Sequence, residues 1–310
     1  MEAIPRKRYS ALKLRRTEII QSYLMIAFSV IGLALFVIYP LGWTFRWCLY
    51  RYSGILAPKY VGFDNFVRIF SENGSRYWQS VGNTFVFAIG KLAVEIPLAL
   101  ILAYILAGKL KGTSFFRSVY FMPSMLSVAV MGIVFYYLFG SYNGVINEWI
   151  AALGGEKIQW FGSGTLSMIV LMITSIWQNF GINMLFFMTG LQSIPLDMYE
   201  AAAIDGATPT QRFFRITIPM LGPVTQMVVM NALLGSLKVT DLVLAMTNGA
   251  PSGKTEMMMS YIYKQFFSSV QSGTANNYGY AAALTVITAC ILGIVTVVYL
   301  KVTKKGSEIY

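Results

Sequence analysis

Apolar residues along this chain gather into six runs long enough to cross a bilayer, at 19–43, 80–107, 118–139, 166–189, 224–246 and 278–300. Each reads as a helix, because hydrocarbon offers backbone groups no partners beyond those the segment itself supplies. Pro97 and Pro123 fall inside the second and third runs and predict kinks there. Between the fourth and fifth runs the pattern turns polar. Leu196 to Asp205 holds few helix breakers, with Pro195 where its missing donor costs little and Asp197 and Glu200 near the positive helix start. Gly206 supplies a left-handed stop. Thr208 and Gln211 have capping-box spacing around Pro209, so a second short helix begins at once and ends before Pro219. The product is a bent helix pair. Its first member is ~15 Å long, too short to span a membrane and suited to a groove on another protein.

The same residues carry a family likeness. Glu200, Ala201 and Ala202, then Gly206 after three free positions, then Ile216 and Pro219, fall on a spacing that closely resembles the loop of bacterial ABC importer permeases working with an external binding protein. Ile218 stands where that family has Leu. Ile204-Asp205-Gly206-Ala207, Asn248-Gly249-Ala250-Pro251, Tyr261-Ile262-Tyr263 and Gly279-Tyr280-Ala281 look like the carbohydrate branch, the maltose-type and glycerol-phosphate-type permeases. The resemblance implies an all-α integral membrane protein with six transmembrane helices and a cytoplasmic coupling-helix loop. It implies that Glu200, Ala201, Ala202, Asp205, Gly206, Ile216 and Pro219 couple the chain to an ATPase. The implied partners are a dimer of ATP-binding ABC subunits, a second homologous permease subunit, an extracellular solute-binding protein, a carbohydrate and the lipid bilayer. No cofactor is expected on this chain, since ATP and Mg would sit on the partner ATPase.

Composition agrees: 56% of residues are apolar and only 12% charged over 310 positions, the balance of an integral membrane protein. Orientation follows from Lys and Arg, which resist translocation in short flanks. With both termini inside a bacterial inner membrane, the cytosol receives fourteen of the 24 basic residues: Arg6 to Arg16, Lys109, Lys111, Arg117, Arg212, Arg215 and Lys301 to Lys305. The Glu200 loop then lies in the cytosol. The chain divides into a basic cytoplasmic tail at 1–18 and a single permease domain at 19–305, with the coupling loop at 190–220. A net charge of +11 invites a nucleic-acid reading, but the charges decorate membrane flanks, so no nucleic acid is expected. The first run has a signal peptide's charge order, yet is too long and lacks a small-residue cleavage site, so it reads as an uncleaved anchor.

Chemistry is narrowed by what is missing. There is no histidine, which removes the usual general base and the commonest metal ligand. Cys48 and Cys290 stand alone and read as packing residues. Gly253-Lys254-Thr255 imitates a phosphate loop, but Asn248 occupies the required first glycine position, so ATP binding here is rejected. Asn73-Gly74-Ser75 is a glycosylation sequon expected to be silent in a bacterial protein. No catalytic or metal-binding residue is expected.

Polar residues inside the runs are candidates for a substrate path, because an unsatisfied polar group in hydrocarbon is costly and faces a cavity or a neighbouring helix. Trp177, Gln178, Asn179 and Asn183 in the fourth run suit a sugar, the ring stacking on a pyranose face and the amides meeting hydroxyls. Helix-to-helix glue is the other reading. Asn231 and Asp241 in the fifth run join the candidate path, although Lys238 and Asp241 also have the spacing of an ion pair on one helical face. Lys91 and Glu95 invite the same pairing. The segments 46–77, 140–165 and 247–277 are rich in Tyr, Trp, Asn and Gly and suit contact with a delivering protein. The function that gathers these signs is a carbohydrate-uptake permease subunit powered by a separate ATPase. The alternative is an ion-coupled secondary carrier or channel; a membrane-embedded enzyme ranks third.

Overall fold

The computed structural model describes residues 11–55, 57–71, 74–108, 111–267 and 276–307. Most of the basic tail, Lys109 and the acceptor Asn73 lie outside the described residues.

The described chain is helical apart from one small ribbon. Helices α1 (Ala11–Leu33) and α2 (Tyr39–Trp47) are joined by a π turn, Ala34–Ile38. Two short strands follow, β1 (Tyr50–Arg51) and β2 (Lys59–Tyr60), antiparallel with Tyr50 opposite Tyr60. Then come α3 (Asp64–Phe70), α4 (Ser75–Ala107), α5 (Thr113–Phe121), a 3₁₀ turn at Met122–Met125, α6 (Val128–Leu138), α7 (Val145–Ala152) and α8 (Gly164–Gln192). After them run α9 (Leu196–Ile204), α10 (Pro209–Arg212), a π turn at Phe213–Thr217, α11 (Ile218–Met220), α12 (Gly222–Leu237), α13 (Asp241–Met246), α14 (Met258–Phe266) and α15 (Tyr278–Ser307).

Among the described residues four helices are long and apolar enough to cross a membrane: Glu18–Trp47, Ser75–Ala107, Gly164–Gln192 and Tyr278–Thr303. Two bent pairs raise the number to six if each counts as one span. The expected third span is one of them. Pro123 offers no donor to a continuing helix, so the chain tightens into the 3₁₀ turn, extends at Leu126 and Ser127, and leaves as α6 at 99° to the preceding segment. The expected fifth span is also interrupted. Helix α12 stops at Leu237, and Lys238 to Thr240 leave helical geometry before α13 begins. The break lets Lys238 and Asp241 turn toward an internal cavity rather than share one helical face, and no ion pair joins them. Pro97 is accommodated differently: α4 runs on through it as one helix, Ser75–Ala107.

Burial of apolar surface drives little association inside lipid, so close approach and internal polar bonds hold such a bundle. Helix α8 is the central element, with 50% of its apolar window buried, against 0% for Glu18–Trp47. Its most extensive partner is α4. Gly181 shows why a small residue is required: a Cβ there would stand 1.9 Å from the Tyr120 carbonyl oxygen, so any side chain would force α8 off the end of α5. Along α4 three apolar clusters follow one another, around Tyr77 and Val81, around Phe87, and around Ala99 and Ala103. Cys48 is buried in the first of these and Cys290 is exposed; both are free thiols.

Candidate functional site

Between the second and third clusters the helices part around a cavity of about 430 Å³, walled by α4, α8, α12, the break before α13 and the turn after α5. Its floor is a charged knot. Lys91 Nζ lies 3.2 Å from Glu95 Oε2, one helical turn away on α4, and these side chains are only 4% and 0% exposed by residue. Two charges this deep persist only when paired and bonded. Asn183 on α8 supplies the further bond, its Nδ2 donating to Glu95 Oε1 at 2.6 Å, and Lys91 reaches Ser236 Oγ on α12 at 3.3 Å. One ion pair therefore ties three helices together.

The sequence-derived candidates divide here. Gln178, Asn179, Asn183, Asn231 and Asp241 all line the cavity. Gln178 Nε2 donates to the Leu126 carbonyl at 3.0 Å, capping the broken segment after Pro123, and Asn179 Nδ2 donates to the Ser175 carbonyl at 2.8 Å. Trp177 does not line it. It points away, 40% exposed, with its ring 5.5 Å from that of Phe135, so the stacking surface expected of it is absent from the wall. The wall's aromatic residue is Phe87, fully buried. From the sequence Lys91 and Glu95 read as an ion pair and Ser124 and Ser175 carry no reading; Ser175 stands one helical turn before Asn179 on α8, which was the available signal for it.

The second candidate element is the elbow between α8 and α12. Helix α9 ends in a Schellman arrangement: Gly206 has φ +79°, its N–H donates to the Ala203 carbonyl at 3.2 Å, and the Ala207 N–H donates to the Ala202 carbonyl at 2.9 Å. The Thr208–Gln211 capping box is present in both directions, at 3.3 and 2.8 Å. The following helix does not end before Pro219. The π turn at Phe213–Thr217 lets the Ile218 N–H reach back to the Phe213 carbonyl, which shifts the bonding register ahead of the proline and carries the chain to Met220. A bend of 67° then leads into α12. Glu200, Ala201, Asp205 and Gly206 are exposed, Ala202, Ile216 and Pro219 half-buried. Tyr199 Oη and Thr217 Oγ1, 2.9 Å apart, join α9 to the π turn within the elbow, and the Tyr104 ring of α4 meets that of Phe213 edge to face, centroids 4.6 Å apart, and so binds the elbow to the bundle.

Residues 95–305 match the family model described as "Binding-protein-dependent transport system inner membrane component". The chain belongs to this family. It is therefore a multi-pass permease component of a transport system rather than an enzyme, and the ion-coupled carrier reading is set aside. The chain is similar to the probable ABC transporter permease protein YesP of Bacillus subtilis (strain 168), 33% identical over 291 residues that cover 92% of this chain and 91% of that protein. It is also similar to the lactose transport system permease protein LacF of Rhizobium radiobacter, 31% identical with 93% and 95% covered. Among solved structures, a bacterial ABC transporter involved in import of the acidic polysaccharide alginate superposes with a TM-score of 0.80 over 95% of this permease and 98% of that chain, at 18% identity. At that identity the likeness speaks for the fold.

Proposed function

We propose that this permease is one of two homologous membrane subunits of an ABC importer, moving a carbohydrate that an extracellular solute-binding protein delivers and driven by a separate dimeric ATPase. In this reading six spans cross the inner membrane with both termini in the cytosol, and the elbow projects into the cytosol as a coupling helix. ATP and Mg then belong to the ATPase. The elbow carries the reading: α9 exposes Glu200, small alanines and Ile204, which is 87% exposed and has little apolar cover among the described residues, as a surface made for another protein would. Its tether through Tyr199, Thr217 and Phe213 gives any push on α9 a route to α4 and α12. The bend before α12 and the break after it are the joints at which that helix reorients.

The carbohydrate assignment draws on the lactose permease relative and on the cavity wall, where Gln178, Asn179, Asn183, Asn231 and Asp241 offer bonds to sugar hydroxyls. Trp177 serves packing against Phe135 in this account. The test is reconstitution by omission in proteoliposomes, using a sugar retained by the system's own binding protein. Uptake is expected only when this chain, the second permease subunit, the ATPase with Mg-ATP and the loaded binding protein are all present. Uptake by this chain alone, or uptake driven by an ion gradient without ATP, would overturn the proposal.

A further inference from the structure

A separate cavity of about 450 Å³ lies between α2, α14 and α15 and shares no wall residue with the central one. Five aromatic rings line it in sequence. Trp43 meets Trp47 at a centroid distance of 5.2 Å, Trp47 stacks on Tyr52 at 4.5 Å, Tyr52 lies 5.8 Å from Tyr278, and Tyr278 lies 6.2 Å from Phe266. Trp47 is the last residue of one apolar span and Tyr278 the first of another, which sets the cavity where hydrocarbon gives way to water, the level at which Trp and Tyr gather in membrane proteins. The span that forms one wall, Glu18–Trp47, buries none of its apolar window, so lipid reaches the cavity along it.

The wall suits a lipid better than a sugar. It carries no amide, carboxylate or cationic side chain; its polar groups are the Thr44 hydroxyl, two phenols and two indole N–H groups. One of these lacks a partner: Trp47 Nε1 is buried and makes no hydrogen bond among the described residues. A buried N–H without an acceptor is costly, so the site calls for a ligand that brings one on an otherwise apolar body. Arg46, next to Trp47 in the chain, is exposed, stands over the Tyr50 ring at 6.0 Å and enters no ion pair among the described residues.

We propose that this cavity is a binding site for one phospholipid, its acyl chain among the five rings, a glycerol ester carbonyl accepting the Trp47 N–H and its phosphate balanced by Arg46. The site is independent of the cargo, and its failure would leave the transport-path reading standing. The test is native mass spectrometry of the assembled importer, stripped of lipid in detergent and titrated with dioleoylphosphatidylglycerol. Trp47→Phe keeps a ring and removes the N–H, and is expected to raise the concentration for half occupancy of the tightest lipid about fivefold. Thr44→Phe fills the cavity from its half-buried rim and is expected to raise it at least tenfold. Half occupancy unchanged by Trp47→Phe overturns the inference whether or not Thr44→Phe assembles, and so does an assembled Thr44→Phe complex that binds this lipid as the wild type does.

Discussion

Glu95 is the residue on which the interior turns. Fully buried, it is held by Lys91 from its own helix and by Asn183 from the next, so each partner's loss has a calculable consequence. Lys91→Met leaves a carboxylate without its countercharge and is expected to lower stability by ~3–5 kcal/mol, whereas Lys91→Met combined with Glu95→Leu recovers most of that loss. Thermal unfolding of the detergent-solubilised importer checks both; a double variant no better than the single one would contradict the assigned pairing. Asn183→Ala is milder, about 1–3 kcal/mol, because one bond to Glu95 is lost while the ion pair stays. Much of this site was legible in the sequence. Lys91 and Glu95 are four apart on a helix, and an amide in an apolar run must face something polar. What the sequence withheld was direction: Trp177 and Gln178 are neighbours, yet a turn of about 100° sends one ring toward Phe135 and one amide into the cavity. Nor does spacing reveal that Asn183 finds Glu95, 88 residues away.

At the scale of elements, local chemistry wrote the elbow almost completely. A proline before α9, a glycine after it and a Thr–Gln box at the next start correspond to caps seen at those positions. Thr208→Ala removes the oxygen that accepts the Gln211 N–H and is expected to cost ~1 kcal/mol, visible as faster amide exchange over 209–213 with no change elsewhere. Unchanged exchange there would mean the box contributes nothing. Span ends were less legible because they depend on tertiary context. Pro123 breaks its segment while Pro97 does not interrupt α4, although both are prolines within apolar runs. Around Pro97 the α4–α8 packing holds the helix, as neighbouring helices do in membranes; after Pro123 the chain finds Gln178 for the Leu126 carbonyl and can afford to turn. The π turn before Pro219 solves the same missing-donor problem in a third way, which no propensity scale contains.

The whole molecule reads as a part of something larger. The stretch Glu18–Trp47 buries none of its apolar window against the described remainder of the chain, consistent with a surface meant for lipid or a neighbouring subunit. The elbow is rigidly capped, exposed at its tip and tethered at its base. In the proposed coupling, Gly206 is the point where the cap of α9 and the ATPase contact meet. An added Cβ there meets nothing within 4 Å, so Gly206→Val would fail by backbone strain at φ +79° rather than by collision, leaving insertion and assembly intact. The decisive measurement is the number of sugar molecules imported per ATP hydrolysed in proteoliposomes holding the complete importer with this variant. The account predicts that hydrolysis continues while uptake per ATP falls at least tenfold, about the factor that a ~1.4 kcal/mol loss of coupling produces. An unchanged ratio in a fully assembled Gly206→Val complex would contradict it.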